Sequence, residues 1–346
     1  MVGRWDQHMN FRFAIVVILL AAALCRADSV VAAELPALTE ITISSTLDGT
    51  PQKSQYWAPE LARTQPRPLL VMLHSWSADY RQKADDWVKE AVARDWIFIH
   101  PNFRGPNNRP QACGSKLARQ DVLDAIDDAV GRFKVDESRV YLAGTSGGGH
   151  MTMLMAAYYP QRFSAASAWV GIGDLADWHR FHVKNGKPGR YAQMTANSCG
   201  GAPGSSTAVD AEYTARSPVF HLHRVGDLPL DLNAGVNDGH IGSVPVRHTL
   251  RAFNVVAKAG KHPLVSEREM TELWEQRKLT SPLKSDQVVD KSYGRQLHLR
   301  RHAGPSRVTI FEGGHEGIAH AGCEWLAVQK RKTRAPGVKQ IGRAHV

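Results

Sequence analysis

The stretch that most constrains this chain is an apolar run that meets a glycine-rich turn and continues as a helical pattern. Residues 140–159 read VYLAGTSGGGHMTMLMAAYY, in which G-x-S-x-G spans Gly144, Ser146 and Gly148. The apolar residues before the turn are typical of a buried strand, and those after it recur at helical spacing. The pattern predicts that Ser146 lies on a sharp strand-to-helix turn, with its hydroxyl held above a sheet.

The chemistry of such a turn follows from its backbone. A Cβ at Gly144 or Gly148 would collide with neighbouring backbone at so sharp a reversal. The N–H groups and partial positive charge of a helix N-terminus favour the negative oxygen that forms when a serine attacks a carbonyl. Ser146 is therefore a candidate nucleophile, and the backbone N–H of Gly147 is a candidate oxyanion-hole donor.

Strand and helix patterns alternate along most of the chain, which predicts an α/β fold with a mostly parallel central sheet and helices on both faces. An antiparallel hairpin is expected at a sheet edge, over residues 38–45 and 52–57. Further strands are predicted at residues 68–74, 96–100, 140–142, 163–170, 228–234 and 308–312. Further helices are predicted at residues 84–94, 117–133 and 244–259.

Two stretches interrupt that alternation. Residues 171–218 are rich in Gly, Asn, Pro and Trp, and we expect them to form a cap over the carboxyl ends of the strands, where α/β sheets bind ligands. Residues 261–301 are expected to form a second insertion that includes one helix. The cap aromatics Trp178, Phe181 and Tyr191 have two interpretations: they stack on a sugar or an aromatic acyl group, or they form the cap's own core.

A serine is a poor nucleophile unless a base takes its proton and a third group orients that base. In this fold the partners follow the serine in the order acid, then histidine, each just beyond a strand. Asp238 lies a few residues after the strand predicted at 228–234, and His315 directly follows the last predicted strand. The competing acids Asp227 and Asp231 lie before and within the earlier strand, where neither is placed to reach a histidine above the sheet. We therefore predict Asp238 as the acid and His315 as the base.

A second oxyanion donor is expected from the loop after the strand predicted at residues 68–74. The loop reads His74-Ser75-Trp76-Ser77, and the backbone N–H of Trp76 is the first candidate. Ser75 stands where glycine is more usual, which leaves the backbone geometry of this loop open.

Two histidine patterns do not fit a metal site. Three residues separate Glu316 from His320, whereas H-E-x-x-H has two, so His315 and His320 would not share a helix face. His221 and His223 could share a strand face, but no third ligand is evident. Four acids of the helix predicted at 117–133 are interpreted as its exposed face, namely Asp121, Asp124, Asp127 and Asp128. We therefore expect no metal and no cofactor.

The N-terminal residues have the pattern of a signal peptide. A basic flank precedes about twelve apolar residues, small-residue sites follow, and residues 1–33 are predicted to be cleaved. The apolar run stops at Cys25, short of the roughly 20 residues that span a membrane, so a stable membrane anchor is not expected. A secreted or periplasmic location follows, and translation starts at Met1 or Met9.

The net charge of +10 invites a nucleic-acid interpretation, so the position of the charges matters. Residues 330–346 carry six Lys or Arg and no acid, which leaves the folded part with an ordinary charge and argues against nucleic-acid binding. Residues 331–346 are predicted to be a dispensable basic tail, and the α/β fold is expected over 34–330. The last six residues, IGRAHV, match the translation of a common sequencing adapter.

Three cysteines follow the predicted signal peptide. Cys113 and Cys199 lie in Gly/Pro-rich loops, whereas Cys323 falls in the apolar pattern of the last helix. In an exported, oxidising setting we predict a disulfide between the first two and a buried thiol at the third.

Over residues 66–326 the chain resembles the α/β-hydrolase superfamily, and within it the catalytic domain of the prolyl oligopeptidase (peptidase S9) group and dienelactone-hydrolase-like esterases. The resemblance is carried by GTSGGG around Ser146, GVNDGHIGSVPV around Asp238 and GGHEG around His315, and it implies the roles of nucleophile, acid and base. Prolyl oligopeptidases carry a β-propeller before this domain, whereas about 30 residues of the predicted mature chain precede the sheet.

The sequence therefore predicts an exported serine hydrolase that works through an acyl-enzyme. The expected substrates are carboxylic esters, such as acyl groups on plant or algal polysaccharide. An oligopeptidase that cleaves short peptides is the alternative enzyme. A catalytically inactive binding protein is a third hypothesis, but the retention of Ser146, Asp238 and His315 together argues against it.

Overall fold

The computed structural model describes Met1 and residues 35–331. The chain divides into two compact units, Met1–Pro36 and Ala37–Val346, and the fold lies in the second. Most of the predicted signal peptide and nearly all of the predicted basic tail lie outside the described residues. Among the residues described, no helix has both the length and the apolar content needed to cross a membrane.

The strands are β1 (Thr39–Ser44), β2 (Pro51–Trp57), β3 (Arg67–Leu73), β4 (Ile97–Pro101), β5 (Val135–Thr145), β6 (Ala165–Trp169), β7 (Val183–Lys184), β8 (Lys187–Pro188), β9 (Leu230–Gly235), β10 (Leu297–Ala303) and β11 (Ser306–Phe311). Nine of them form one sheet in the order β1-β2-β4-β3-β5-β6-β9-β11-β10, and β7 and β8 pair separately. Within that order, the six neighbouring strands β4-β3-β5-β6-β9-β11 are parallel to one another. The strands at the two edges pair antiparallel.

The helices are α1 (Asp85–Ala93), α2 (Lys116–Arg132), α3 (Gly147–Tyr158), α4 (Leu175–Phe181), α5 (Arg190–Cys199), α6 (Thr207–Arg216), α7 (Arg247–Ala259), α8 (Glu267–Gln276) and α9 (Ala319–Ala327). Strands β6, β9 and β11 are buried along their full length, as strands covered on both faces must be. Helix α3 is buried at eleven of its twelve residues. The predicted α/β fold with a mostly parallel sheet is confirmed, and so is the edge hairpin β1–β2.

One strand was hidden in the stretch expected to be an insertion. Strand β10 begins in the last residues of that stretch, runs to Ala303 and pairs antiparallel with β11 at the far edge of the main sheet. Its sequence, LHLRRHA, mixes charged and apolar residues, and its arginines are accommodated by ion pairs of Arg300 with Asp290 and of Arg301 with Asp286. Only the pairing with β11 identifies it as part of the sheet.

The interpretation of the α2 acids as an exposed face is wrong for two of the four. Asp121 and Asp124 are buried. Asp121 accepts hydrogen bonds from Arg104, with Nε at 2.5 Å, and Asp124 accepts from the backbone N–H and hydroxyl of Thr46, both at 2.8 Å. These carboxylates therefore attach the β1–β2 hairpin and the loop after β4 to helix α2.

Residues 171–218 contain α4, α5, α6 and the β7–β8 pair. Six buried side chains of this stretch join three from outside it in a small second core, distinct from that of the sheet. This cap core consists of Trp76, Cys113, Ile172, Leu175, Trp178, Met194, Cys199, Tyr213 and Val244. Trp76, which follows β3, thus joins the cap to the loop predicted to supply an oxyanion donor.

Candidate active site

Ser146 lies between the end of β5 and the first residue of α3. Its backbone has φ 62° and ψ −117°, a conformation that non-glycine residues rarely adopt and that is typically held in place by surrounding structure at functional sites. Its N–H donates to the carbonyl of Trp169 at 2.8 Å, which fixes the turn against β6. The sequence-predicted strand-to-helix turn is therefore present, and only 8% of Ser146 is exposed.

The neighbouring glycines are required by close backbone contacts. A Cβ on Gly148 would lie 2.1 Å from the carbonyl oxygen of Leu73 in β3. A Cβ on Gly147 would lie 2.3 Å from the backbone nitrogen of Trp76. The turn therefore packs directly against the end of β3 and the loop that follows it.

His315 joins the two other predicted residues in one hydrogen-bonded series. Its Nε2 lies 2.8 Å from Ser146 Oγ, and its Nδ1 lies 2.8 Å from Asp238 Oδ2. His315 follows β11 and Asp238 follows β9, so both come from loops at the same end of the parallel sheet as Ser146. The structure thus brings together the three residues that the sequence singled out.

Asp238 is fully buried, and its partners explain why a charged side chain is accommodated there. Its Oδ1 accepts the backbone N–H of Gly239 at 2.9 Å and that of Val244 at 3.1 Å. A carboxylate with both oxygens engaged by donors orients the ring of His315 with its Nδ1–H toward the acid. The Nε2 lone pair is then free to accept the proton of the Ser146 hydroxyl.

The residues of the two predicted oxyanion donors, Gly147 and Trp76, lie against each other. Gly147 is the first residue of α3, where N–H groups have no intrahelical acceptor. The backbone nitrogen of Trp76 lies next to Gly147, and among the described residues no acceptor is bonded to it. One predicted donor therefore directly follows Ser146 in the chain, and the residue that carries the other packs against Gly147.

The loop that carries Trp76 is braced by a buried histidine that the sequence analysis did not single out. The ring of His74 stacks on Phe103 with centroids 3.8 Å apart, and its two nitrogens contact the carbonyl oxygens of Ser75 at 3.0 Å and Asn102 at 2.7 Å. Ser75 N–H donates to the side-chain oxygen of Gln82 at 2.7 Å. This network explains how the loop keeps its shape with serine rather than glycine at position 75.

Ser243 was also missed. Its hydroxyl lies 3.3 Å from His315 Nε2, so a second serine reaches the atom that contacts Ser146. The sequence offered no signal for it, because a serine in a loop near Asp238 looks like any solvated loop residue.

The cap aromatics divide between their two interpretations. Trp178 is completely buried and packs edge-on against Trp76 with ring centroids 4.6 Å apart, so it belongs to the cap core and cannot stack on a substrate without rearrangement. Tyr191 and Phe181 are only partly buried. Tyr191 packs against the cap core, with its ring centroid 5.1 Å from that of Trp178, and Lys184 Nζ lies 4.6 Å over the ring of Phe181.

The predicted disulfide is not formed. Cys113, Cys199 and Cys323 are buried free thiols, the first two within the cap core. Burial raises the pKa of Cys113 to about 11 and also raises the pKa of the other two, so all three behave as small apolar side chains.

The other acids and the paired histidines weighed in the sequence analysis take no part in the Ser146–His315–Asp238 series. Asp227 is exposed, whereas Asp231 is buried within β9 and accepts from Arg307 Nε at 2.6 Å. His223 lies in a short helical turn and His221 directly precedes that turn, so neither is on a strand. In the part of the chain that the structure describes, no group of three His, Cys, Asp or Glu could hold a metal ion.

A mostly parallel sheet with a serine on a sharp turn after the fifth strand defines the α/β-hydrolase fold. The chain shares this fold with an acylaminoacyl peptidase from Pyrococcus horikoshii, with a TM-score of 0.58 and 15% identity over 89% of this chain and 44% of that one. The profile of the Prolyl oligopeptidase family matches residues 84–271, more than half of the chain. The chain belongs to that family.

Shorter stretches are similar to curated esterases. Feruloyl esterase B of Neurospora crassa is 41% identical over 51 residues, which cover 15% of this chain and 18% of that protein. Acetylxylan esterase A of Emericella nidulans is likewise 41% identical over 51 residues, or 15% of this chain and 17% of the esterase. These matches span less than a fifth of either relative.

Proposed function

We propose that this chain is an exported serine hydrolase that transfers acyl groups from carboxylic esters to water through an acyl-enzyme. The observation that carries the proposal is the hydrogen-bonded series Ser146–His315–Asp238, with 2.8 Å at both links. Ser146 and His315 are 169 positions apart in the sequence, and Asp238 and His315 are 77 apart. The fold brings them into the geometry that activates a serine.

In the first half of the reaction, Ser146 Oγ attacks the ester carbonyl as its proton passes to His315 Nε2. Asp238 holds the Nδ1–H of the ring and stabilises the imidazolium that forms. The carbonyl oxygen becomes negative, and the N–H groups of Gly147 and Trp76 are the donors proposed to stabilise it. The ester bond then breaks, and the departing alcohol takes the proton from Nε2.

The second half repeats these steps with water. Water gives a proton to His315 Nε2 and attacks the acyl group on Ser146, and the same two N–H groups stabilise the second oxyanion. The acid leaves and the proton returns to Ser146 Oγ. Side chains and backbone groups supply all of this chemistry, so the proposal includes no cofactor.

Esters are favoured as substrates by the two relatives named Feruloyl esterase B and Acetylxylan esterase A. We extend that to acyl groups linked to small molecules or to polysaccharide. An oligopeptidase is the second candidate, favoured by the family profile and by the acylaminoacyl peptidase fold. Export is part of the proposal and rests on the signal-peptide pattern of residues 1–33. N-terminal sequencing of protein recovered from the periplasm of an expression host tests it.

The proposal is tested first with a fluorophosphonate probe, which reacts with activated serines without assuming a substrate. We expect labelling at Ser146 in the wild type and none in Ser146→Ala. Turnover of an aryl acetate in Ser146→Ala should fall by roughly 10⁴ to 10⁶, because members of such a series act as a unit. Exposed Ser205 offers the matched control, and Ser205→Ala should keep full labelling and turnover.

The role of the acid is tested in the same assays. Asp238→Asn should lower kcat by roughly 10³ to 10⁴, because the amide disturbs the tautomer of His315 while the nucleophile stays in place. The same substitution at exposed Asp227 is the control. Near-normal turnover in Ser146→Ala or Asp238→Asn would refute the assignment.

A further inference from the structure

The histidine nitrogen that faces Ser146 also has a second hydroxyl within reach. Ser243 Oγ lies 3.3 Å from His315 Nε2, and Ser146 Oγ lies 2.8 Å from the same atom. A neutral ring offers one lone pair at Nε2, so the closer Ser146 hydroxyl uses it in the resting state. Ser243 is then the next group able to bond that nitrogen when its protonation changes.

The backbone on both sides of Ser243 is built around the Asp238–His315 pair. Val244 N–H donates to Asp238 Oδ1 at 3.1 Å. Gly242 leaves no room for a side chain, since a Cβ there would lie 2.2 Å from Asp238 Oδ1 and 2.6 Å from His315 Cβ. The position of the Ser243 hydroxyl is therefore set by the same contacts that hold the acid and the histidine.

The cap holds Ser243 from the other side. Its carbonyl oxygen accepts from Trp178 Nε1 at 2.7 Å and from His182 Nε2 at 2.8 Å. Trp178 lies in α4 and is completely buried in the cap core, and His182 is the residue that directly follows α4. Both lone pairs of the carbonyl are used, so Ser243 cannot shift without breaking contacts to the cap.

We propose that Ser243 is a positioning residue for His315 and that it couples the cap to the Ser146–His315–Asp238 series. The inference rests on the proposed hydrolase function. When Ser146 gives up its proton and bonds the substrate carbon, the new Nε2–H of His315 loses its partner. The Ser243 hydroxyl accepts that hydrogen bond and holds the ring in place until the proton passes to the leaving group.

The first test compares Ser243→Ala with Ser243→Thr and the control Ser205→Ala on an aryl acetate. Loss of a hydrogen bond to a charged ring should lower kcat by about tenfold to a hundredfold, with KM changed less than about twofold. Threonine keeps the hydroxyl and should restore most of kcat. Unchanged kcat in Ser243→Ala overturns the proposal, as does a rise in KM that accounts for the whole loss, which would make Ser243 a substrate-binding residue.

Coupling to the cap is tested by a double-mutant cycle with Trp178→Phe, which keeps a buried ring and removes the N–H donor. We expect the double variant to lose no more kcat than Ser243→Ala alone, because Trp178 bonds the Ser243 carbonyl and is proposed to act on His315 only through the position of the Ser243 hydroxyl. Additive losses contradict the coupling. If Trp178→Phe is too unstable to purify, His182→Phe removes the other donor from a partly buried position.

A measurement independent of turnover separates this inference from the proposed function. The Nδ1–H proton of His315 is detectable by NMR when the ring is held against Asp238. Recorded with the ring protonated at both nitrogens, the state in which Ser243 is proposed to bond Nε2, its signal should be sharp in the wild type and broadened by exchange in Ser243→Ala. If the wild type neither hydrolyses esters nor reacts with the fluorophosphonate, the hydrolase proposal fails, and the NMR comparison still decides whether Ser243 positions the ring.

Discussion

At the residue scale, buried histidines give this protein a pH dependence that is separate from the chemistry of Ser146. His150 in α3 is fully buried, and its Nε2 lies 2.8 Å from the carbonyl oxygen of Arg216. Burial lowers the pKa of His150 from 6.5 to about 4, and it lowers the pKa of His248 to about 4 and that of His100 to about 3. These rings stay neutral in the folded protein at pH values where the unfolded chain protonates them.

The direction of the effect follows from proton binding. Between pH 6.5 and 4 the unfolded chain binds protons that these buried rings do not, so acid favours unfolding. We expect the contribution of these histidines to the free energy of unfolding to be constant above pH 6.5. As the pH drops below 6.5, the free energy of unfolding should decrease by about 1.4 kcal/mol per pH unit for each histidine. Urea titrations at pH 7 and pH 5 measure the difference.

The matched variants are His150→Gln and His223→Gln. The first removes one buried ring and should reduce the pH dependence, while the second changes an exposed residue and should leave it as in the wild type. A pH dependence that is equal in all three proteins would show that His150 does not contribute.

At the element scale, one buried arginine fastens the edge hairpin to the rest of the sheet domain. Arg104, in the loop after β4, bonds Asp121 of α2 through Nε at 2.5 Å and Nη2 at 3.0 Å. Its Nη1 bonds Asp48 in the β1–β2 turn at 2.8 Å, and its Nη2 bonds Ser45 at 3.0 Å. The side chains of Arg104 and Asp121 are only 4% and 1% exposed, so neither is solvated by water.

Removing that arginine leaves a carboxylate buried without a charged partner. Arg104→Met should lower the free energy of unfolding by about 3–5 kcal/mol, whereas the double variant Arg104→Met/Asp121→Leu should recover most of it. The control Arg139→Met breaks a partly exposed ion pair with Asp136 and should cost about 1 kcal/mol or less. Equal losses in Arg104→Met and Arg139→Met, measured in urea, would contradict the fastening role.

At the scale of the whole molecule, the choice between ester and peptide depends on what encloses the substrate above Ser146. Peptide cleavage requires subsites that hold the chain and a histidine placed to protonate a departing amine, whereas an ester has a better leaving group. The described cap commits Trp178 to its own core and leaves Tyr191 and Phe181 partly exposed.

We therefore expect a higher kcat/KM on acetyl and butyryl aryl esters than on a proline-linked chromogenic peptide. Ser146→Ala supplies the blank for both substrates, so that only turnover dependent on this serine is compared. Faster peptide cleavage would favour the oligopeptidase over the esterase.

Sequence alone determined the features that depend on residues close together along the chain. The glycines around Ser146 and the apolar runs of the inner strands are local signals, because steric limits and burial on both faces act within a few residues. The order of Ser146, Asp238 and His315 and their positions beyond strand ends were also readable, since parallel strands deliver their following loops to the same end of a sheet.

Tertiary structure decided what depends on packing between distant segments. Asp121 and Asp124 look like the solvated face of a helix until Arg104 and Thr46 cover them. Ser243 acquires significance only because His315, 72 positions away, lies against it. Burial and hydrogen bonds across such separations arise when complete elements pack together, and no periodicity along the chain encodes them.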